Sequence, residues 1–430
     1  MKRVWLLLIL ALMLSLLICA AGCGCGDDDD DDDSSSGDDD DDDDNDDNDD
    51  NDDDSWPEND HITAGKQYLE ASAAGYAANE FNLALDEVPG HPDAYYGLIL
   101  ANTIYEFDLI SLIVSYVYYF LEFEEPAKAE SSLQNLLDDI LEQVMQGLVF
   151  QHTDELIDGY ENWVAEDYLR TFELEKMPII VHFETLAEPG GLYDASEARA
   201  AYAISSSLAG LIRHLTSLNV DLDLAYIFYI MDVPFGSYDT TEIISIIVDF
   251  ALSILNDPAF PNFLTFGTEG QEGVKQGGLE LGLGLMQAKG AFATMRLDGD
   301  GQEVLGFDDK NGNRHMDAGE NFIVPPWGTL TDDQQATALV FEDLFGNLAA
   351  SFLDYTPYDQ DPDNPSPFHL AQLNPLLGAF GLPEIIPQWD SLRIDFGAFY
   401  VDPDPNFIRD ELLNILNILD LVLPDPPPYK

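Results

Sequence analysis

The chain of 430 residues is poor in cysteine and poor in positive charge, and both shortages limit what it does. Its three cysteines, Cys19, Cys23 and Cys25, all lie at the N-terminal end. The long remainder therefore has no internal disulfide, no thiolate metal site and no cysteine nucleophile. Lysine and arginine number 16 against 83 aspartates and glutamates, a formal net charge of −67. Nucleic acid and anionic membrane surfaces repel such a polyanion unless basic residues gather in a patch. No such patch occurs along the sequence, so no nucleic-acid partner is expected.

Catalytic signatures are equally scarce. None of the seven histidines (His61, His91, His152, His182, His214, His315 and His369) forms a zinc pair at helical spacing with a nearby glutamate. There is no Gly-x-Ser-x-Gly elbow, no phosphate loop ending in Gly-Lys-Ser or Gly-Lys-Thr, and no dinucleotide fingerprint after a strand. The glycine-rich run Gly277 to Gly284 sits in a helical, apolar context and reads as close packing rather than phosphate contact. Acid pairs such as Glu124-Glu125, Asp138-Asp139 and Asp332-Asp333 are expected on solvated faces of so acidic a chain. An enzyme is not expected.

What is present is unevenly distributed. Residues 27–54 hold 21 aspartates, which leaves 62 acids (83 − 21) against 14 bases (16 − 2, for Lys2 and Arg3) in residues 55–430, about −48. Hydrophobic residues make up 46% of the chain and aromatic residues 11%, so a folded body accompanies the acidic run. The run has nothing apolar to bury and repels itself, which predicts an extended spacer reaching up to roughly 90 Å at about 3.3 Å per residue.

Before the spacer stand Lys2 and Arg3, an apolar run from Val4 to Ile18, and the small residues Ala20-Ala21-Gly22 ahead of Cys23. This is the layout of an export signal. Ala20-Ala21-Gly22-Cys23 resembles the lipobox of bacterial lipoproteins, although Ala20 stands where leucine is common. The resemblance implies a signal peptide over 1–22, lipidation of Cys23 and a disordered Asp-rich tether over 23–56. It also implies membrane contact through the N-terminal lipid only, and Gly24 after the cysteine implies the outer membrane of a double-membraned cell.

The body, 57–430, carries apolar residues at three- and four-residue spacing over Thr63–Ala74, Glu80–Val88, Asp93–Glu124, Pro126–Gln151, Thr153–Glu175, Asp194–Leu218, Thr240–Asn256, Gln271–Met295, Thr331–Asp354 and Pro405–Val422. The expected fold is mostly α, a helical hairpin continuing into a large multi-helix domain with few or no strands. Leu392–Tyr400 is the best strand candidate. Turn residues cluster at Pro189–Asp194 and Pro258–Gly273, leaving both one domain and two open. Ile104–Phe123 is very apolar, but Glu106, Asp108 and Glu122 leave an uncharged stretch only from Leu109 to Leu121, too short to span a bilayer. It is expected to be a buried helix, as is Ile243–Leu255.

Gly65, Tyr68, Ala77, Phe81, Ala84 and Pro89 follow one another at intervals of 3, 9, 4, 3 and 5 residues. This spacing resembles the signature of a tetratricopeptide repeat, with His61 where tryptophan is frequent and Ala64 where leucine is. Pro92 to Leu98 resembles the opening of a second repeat, so the likeness covers 61–101. It implies two helices in close approach, with Phe81 filling the space between small residues, and a role in protein binding.

In Asp309-Lys310-Asn311-Gly312-Asn313-Arg314-His315-Met316-Asp317-Ala318-Gly319-Glu320, the oxygen-bearing residues Asp309, Asn311, Asn313, Asp317 and Glu320 fall in the ligand order of an EF-hand-like loop. His315 would add its backbone carbonyl. Arg314 stands where a glycine is expected, and Pro325-Pro326 forbids an exit helix, so the loop resembles the structural calcium loops of secreted bacterial proteins. Asp298 to Gln302 upstream reads as a turn, making 298–324 a calcium-type insertion. The expected function is that of a noncatalytic cell-envelope lipoprotein, a helical binding or scaffold module for an envelope protein partner, with structural calcium. The alternative is an accessory ligand-binding component of a periplasmic solute-transport system.

Overall fold

The computed structural model describes residues 56–57, 59–123, 146–167, 170–181, 184–219, 240–267, 270–297, 304–324 and 328–353, with 400, 404–406, 409–410, 413, 416–417 and 420 near the C-terminus. Cys23, the signal peptide, the Asp-rich tether, the Asp298 to Gln302 turn and the strand candidate before Tyr400 lie outside the described residues. So do most of the helices expected over Pro126–Gln151 and Pro405–Val422. Eight helices and seven short strands are formed by the described residues, a mostly α fold.

Asn59 starts the first helix, α1 (Asp60–Glu70), by accepting from the N–H groups of His61 at 2.8 Å and Ile62 at 3.3 Å. The chain reverses at Ser72, which takes a left-handed φ of 52°. Helix α2 (Ala74–Glu87) begins six residues before the expected Glu80, because the alanine-rich start favours helix without showing an apolar face. Pro89 and Gly90, at φ 90°, turn the chain into α3 (Pro92–Phe123), where Pro92 suits a first helical turn. Phe81 is fully buried between α1 and α3. A methyl on Gly65 would lie 2.6 Å from its ring, and one on Gly97 would fall inside ring contact too, so both glycines are required by the wedge.

Helix α4 (Gln146–Asp167) packs along α3. Tyr96, Trp163 and Phe172 meet between them, with ring centroids 5.1 and 5.4 Å from Tyr96. The helix expected to continue to Glu175 stops at Asp167. Phe172 and Leu174 are buried and Glu173 is exposed, a two-residue alternation, and the segment forms β1 (Phe172–Leu174). It pairs antiparallel with β4 (Gly191–Tyr193), while β2 (Ile179–Val181) pairs with β3 (Glu184–Ala187).

Helix α5 (Ala195–Ser217) opens with a capping box between Asp194 and Glu197. It is the central helix, touching α3 and α4 on one side and α7 (Gly270–Met295) on another. The approach to α7 is close: a methyl on Gly277 would lie 2.9 Å from the Gly210 carbonyl oxygen. Helix α6 (Thr240–Leu255) buries Val248 and Leu255 against Leu416, and Arg409 donates to the carbonyls of Phe260 and Phe263 at 3.0 Å. Helix α8 (Asp332–Leu353) packs on α7, and Glu342 pairs with Arg296 across that contact. By length and composition α8 is apolar enough to cross a membrane, with a mean hydropathy of 1.3. Its Phe341, Leu344, Phe345 and Ala349 are buried in the protein. Between α7 and α8 lies the antiparallel sheet β5 (Gly306–Phe307), β6 (Phe322–Val324) and β7 (Gly328–Thr329).

Candidate functional site

The loop Asp309–Glu320 leaves β5 and returns as β6, so its ends are antiparallel neighbours. Phe307 and Phe322 are fully buried beside Met295, Leu330 and Ala338, which ties both ends to the core between α7 and α8. Asn321 donates through its side chain to the Leu330 carbonyl at 2.8 Å, and the Phe322 N–H donates to Gln335 Oε1 at 2.8 Å. These buried bonds fix where the loop starts and stops.

Within the loop, Asp309 Oδ1 accepts from the N–H groups of Gly312 at 2.7 Å, Asn311 at 3.2 Å and Asn313 at 3.3 Å, and Oδ2 accepts from Arg314 at 2.7 Å. What burial there is pushes the Asp309 carboxyl up, but the four N–H donors outweigh it and hold it below the usual range. Asn311 and Asn313 donate to Asp317 Oδ2 at 2.8 and 2.7 Å, and Asn313 Oδ1 accepts from the His315 N–H at 2.8 Å. Glu320 closes the ring, with Oε1 accepting from Lys310 N–H at 3.0 Å and Oε2 from Asp317 N–H at 2.7 Å. The structure thus brings Asp309, Asn311, Asn313, Asp317 and Glu320 into one hydrogen-bonded loop.

Arg314 adopts φ 57°, and Gly312 adopts φ 74°. The left-handed turn expected of a glycine is therefore made by an arginine. The donor set is three carboxylates and two amides, all hard oxygen, which suits calcium better than zinc. Among the described residues no three His, Cys, Asp or Glu side chains gather as a metal group, so Asp309, Asp317 and Glu320 share the loop without converging on one point.

Five of the repeat-signature residues lie together in the α1–α2 hairpin, and the sixth, Pro89, stands in the turn from α2 into α3. Gly65, Ala77, Phe81 and Ala84 are buried, while Tyr68 is 37% exposed and stacks on Tyr76 with centroids 5.4 Å apart. His61 bridges the two helices through Glu80, with Nδ1 2.6 Å from Oε2. The Glu80 hydrogen bond raises its pKa.

Two polar sites were not expected from the sequence. Glu106 of α3 is 1% exposed, accepts from Ser205 of α5 and lies 3.4 Å from the Thr153 hydroxyl of α4. Its Oε2 has no partner among the described residues, and burial pushes its pKa up to about 8. Beside it, His152 of α4 stacks on Tyr105 and lies 2.8 Å from Asn102 Oδ1. The only sequence signal was an acid, Glu106, with Asp108 two residues on, interrupting an apolar helix, together with the hydroxyl run Ser205-Ser206-Ser207. The second site joins Arg213 of α5 to Glu280 of α7 at 2.7 Å, beside an open cavity of about 590 Å³ where α5 ends and α7 begins.

Compared with known proteins, the chain matches no family model, no curated protein and no solved structure.

Proposed function

We propose that the chain is a noncatalytic, exported lipoprotein of the cell envelope, anchored through lipid on Cys23, whose helical body binds or scaffolds an envelope protein. The tetratricopeptide-like hairpin over 61–101 is its binding element, and the Asp309–Glu320 loop is a structural calcium staple. The observation that supports the staple is the anchoring of the loop: its ends are the strands that carry buried Phe307 and Phe322, and among the described residues it runs directly into β6 rather than into a helix. A calcium held there would tie β5 to β6 and order the connection between α7 and α8, as a staple does, with no helix pair to open as in a switching sensor. The aspartate run would hold the body away from the lipid.

The test is envelope fractionation of the wild type and a Cys23→Ser chain, followed by crosslinked affinity capture from envelope extract in calcium and in chelator. The wild type is expected in the membrane fraction with a reproducible protein partner, and Cys23→Ser in the soluble fraction. A wild type and Cys23→Ser that partition alike, or capture without any specific partner, would overturn the reading.

A further inference from the structure

Three of the six arginines among the described residues are held by protein acceptors through two nitrogens each, while Arg199 donates through Nη1 to Gln287 at 3.2 Å and leaves a buried Nε without a partner. Arg170 grips Asp93 through Nε and Nη2 at 2.8 and 3.0 Å, Arg296 meets Glu342 with both terminal nitrogens, and Arg409 caps backbone carbonyls. Arg213 differs. It bonds Glu280 Oε1 through Nε alone, at 2.7 Å, and Nη1 and Nη2 have no hydrogen-bond partner among the described residues. Its guanidinium carbon lies 3.9 Å from the centre of the Phe150 ring, a cation–π contact. Glu280 is itself held by Gln276 at 3.2 Å, so the Nε contact is braced from α7.

Arg213 belongs to the wall of the 590 Å³ cavity, with Phe150, Thr216, Ser217, Leu218 and Asn219 around it. That volume is within the range of small-molecule sites. We propose that the cavity is a binding site for a small monocarboxylate, gripped by Nη1 and Nη2 of Arg213, with its body against Phe150 and Leu218. A planar fork of two N–H donors matches a carboxylate in two-point contact. Glu280 supplies a compensating negative charge beside the fork. Glu280 repels a dianion more strongly than a monoanion, so the site disfavours a phosphate dianion relative to a carboxylate. More distant acids matter less, since salt screens exposed charges beyond about 8 Å. The proposal depends on neither the calcium loop nor an envelope partner.

The experiment is calorimetric titration of the full chain with sodium benzoate, benzamide and inorganic phosphate. Benzoate is expected to bind, with benzamide and phosphate weaker by about tenfold or more, the scale of one charge-assisted contact. Glu280→Gln keeps the fork and is expected to keep benzoate binding. The double variant Arg213→Gln with Glu280→Gln removes the fork without leaving a buried unpaired charge, and is expected to lose binding while melting cooperatively. Benzamide or phosphate binding as tightly as benzoate, a wild type that does not bind benzoate, or a double variant that still does, would overturn the proposal.

Discussion

Asp309 collects four backbone N–H groups in an exposed turn, whereas Glu106, buried among α3, α4 and α5, has the Ser205 and Thr153 hydroxyls and one bare oxygen. The two acids are driven in opposite directions, Asp309 toward the charged form and Glu106 toward the protonated one. The difference lies in donor supply. A turn exposes backbone N–H groups that no helix uses, while α3, α4 and α5 consume theirs internally and offer only side-chain hydroxyls. The loop thus keeps charge to offer a cation, and the helical core keeps a proton.

The largest expected effect comes from breaking this contrast at Glu106. Its folded pKa near 8 lies above the ordinary 4.5, so the folded state holds a proton that the unfolded chain releases. Stability contributed by the protonated acid is complete below pH 4.5 and declines as pH rises toward 8, by about 5 kcal/mol in all. Glu106→Gln removes that dependence, at a cost of about 1–3 kcal/mol for an unpaired amide. Urea unfolding from pH 4 to pH 9 should show the variant more stable by about 2–4 kcal/mol above pH 8 and no more stable than wild type at pH 4. A constant offset across that range would mean that Glu106 is ionised in the fold.

On the loop side, calcium should raise the melting temperature. At a hundredfold excess over Kd the gain is about 2.7 kcal/mol. Asp309→Ala and Glu320→Ala should each abolish the rise, while Glu106→Gln should leave it intact. Equal melting of the wild type in calcium and in chelator would remove the staple from the proposed function.

How much of this was legible in the sequence follows the range of the interactions. The period of the helices is local, and so was the glycine run of α7, whose Gly277 meets Gly210. The strand at Phe172–Leu174 was read as helix, because Phe172 and Leu174 lie close enough to other apolar residues to satisfy a helical period, and the strand depends on Gly191–Tyr193 as its partner. The Arg213–Glu280 pair joins residues 67 apart, and the Glu106–Ser205 contact residues 99 apart, so neither leaves a local trace. Glu106 was visible only as a charge interrupting an apolar run. Its burial depends on α4 and α5 closing over it.

The smallest expected effect concerns Arg314, where the loop departs from the glycine expected at that place. A branched-free but β-carbon-bearing residue at φ 57° costs about 1–2 kcal/mol relative to the right-handed region. The Arg314 N–H donates to Asp309 Oδ2 at 2.7 Å, so the strained turn is held by the same carboxylate that heads the loop. Arg314→Gly relieves the side-chain strain, offset in part by the greater freedom of glycine in the unfolded chain. The expected net gain is up to about 1 kcal/mol in chelator by urea unfolding. Calcium affinity should stay unchanged, because the left-handed turn is already made without the cation and its relief is shared by the free and liganded loops. An affinity that rises with stability would mean that the turn tightens further when calcium binds, beyond what the four N–H bonds to Asp309 already hold.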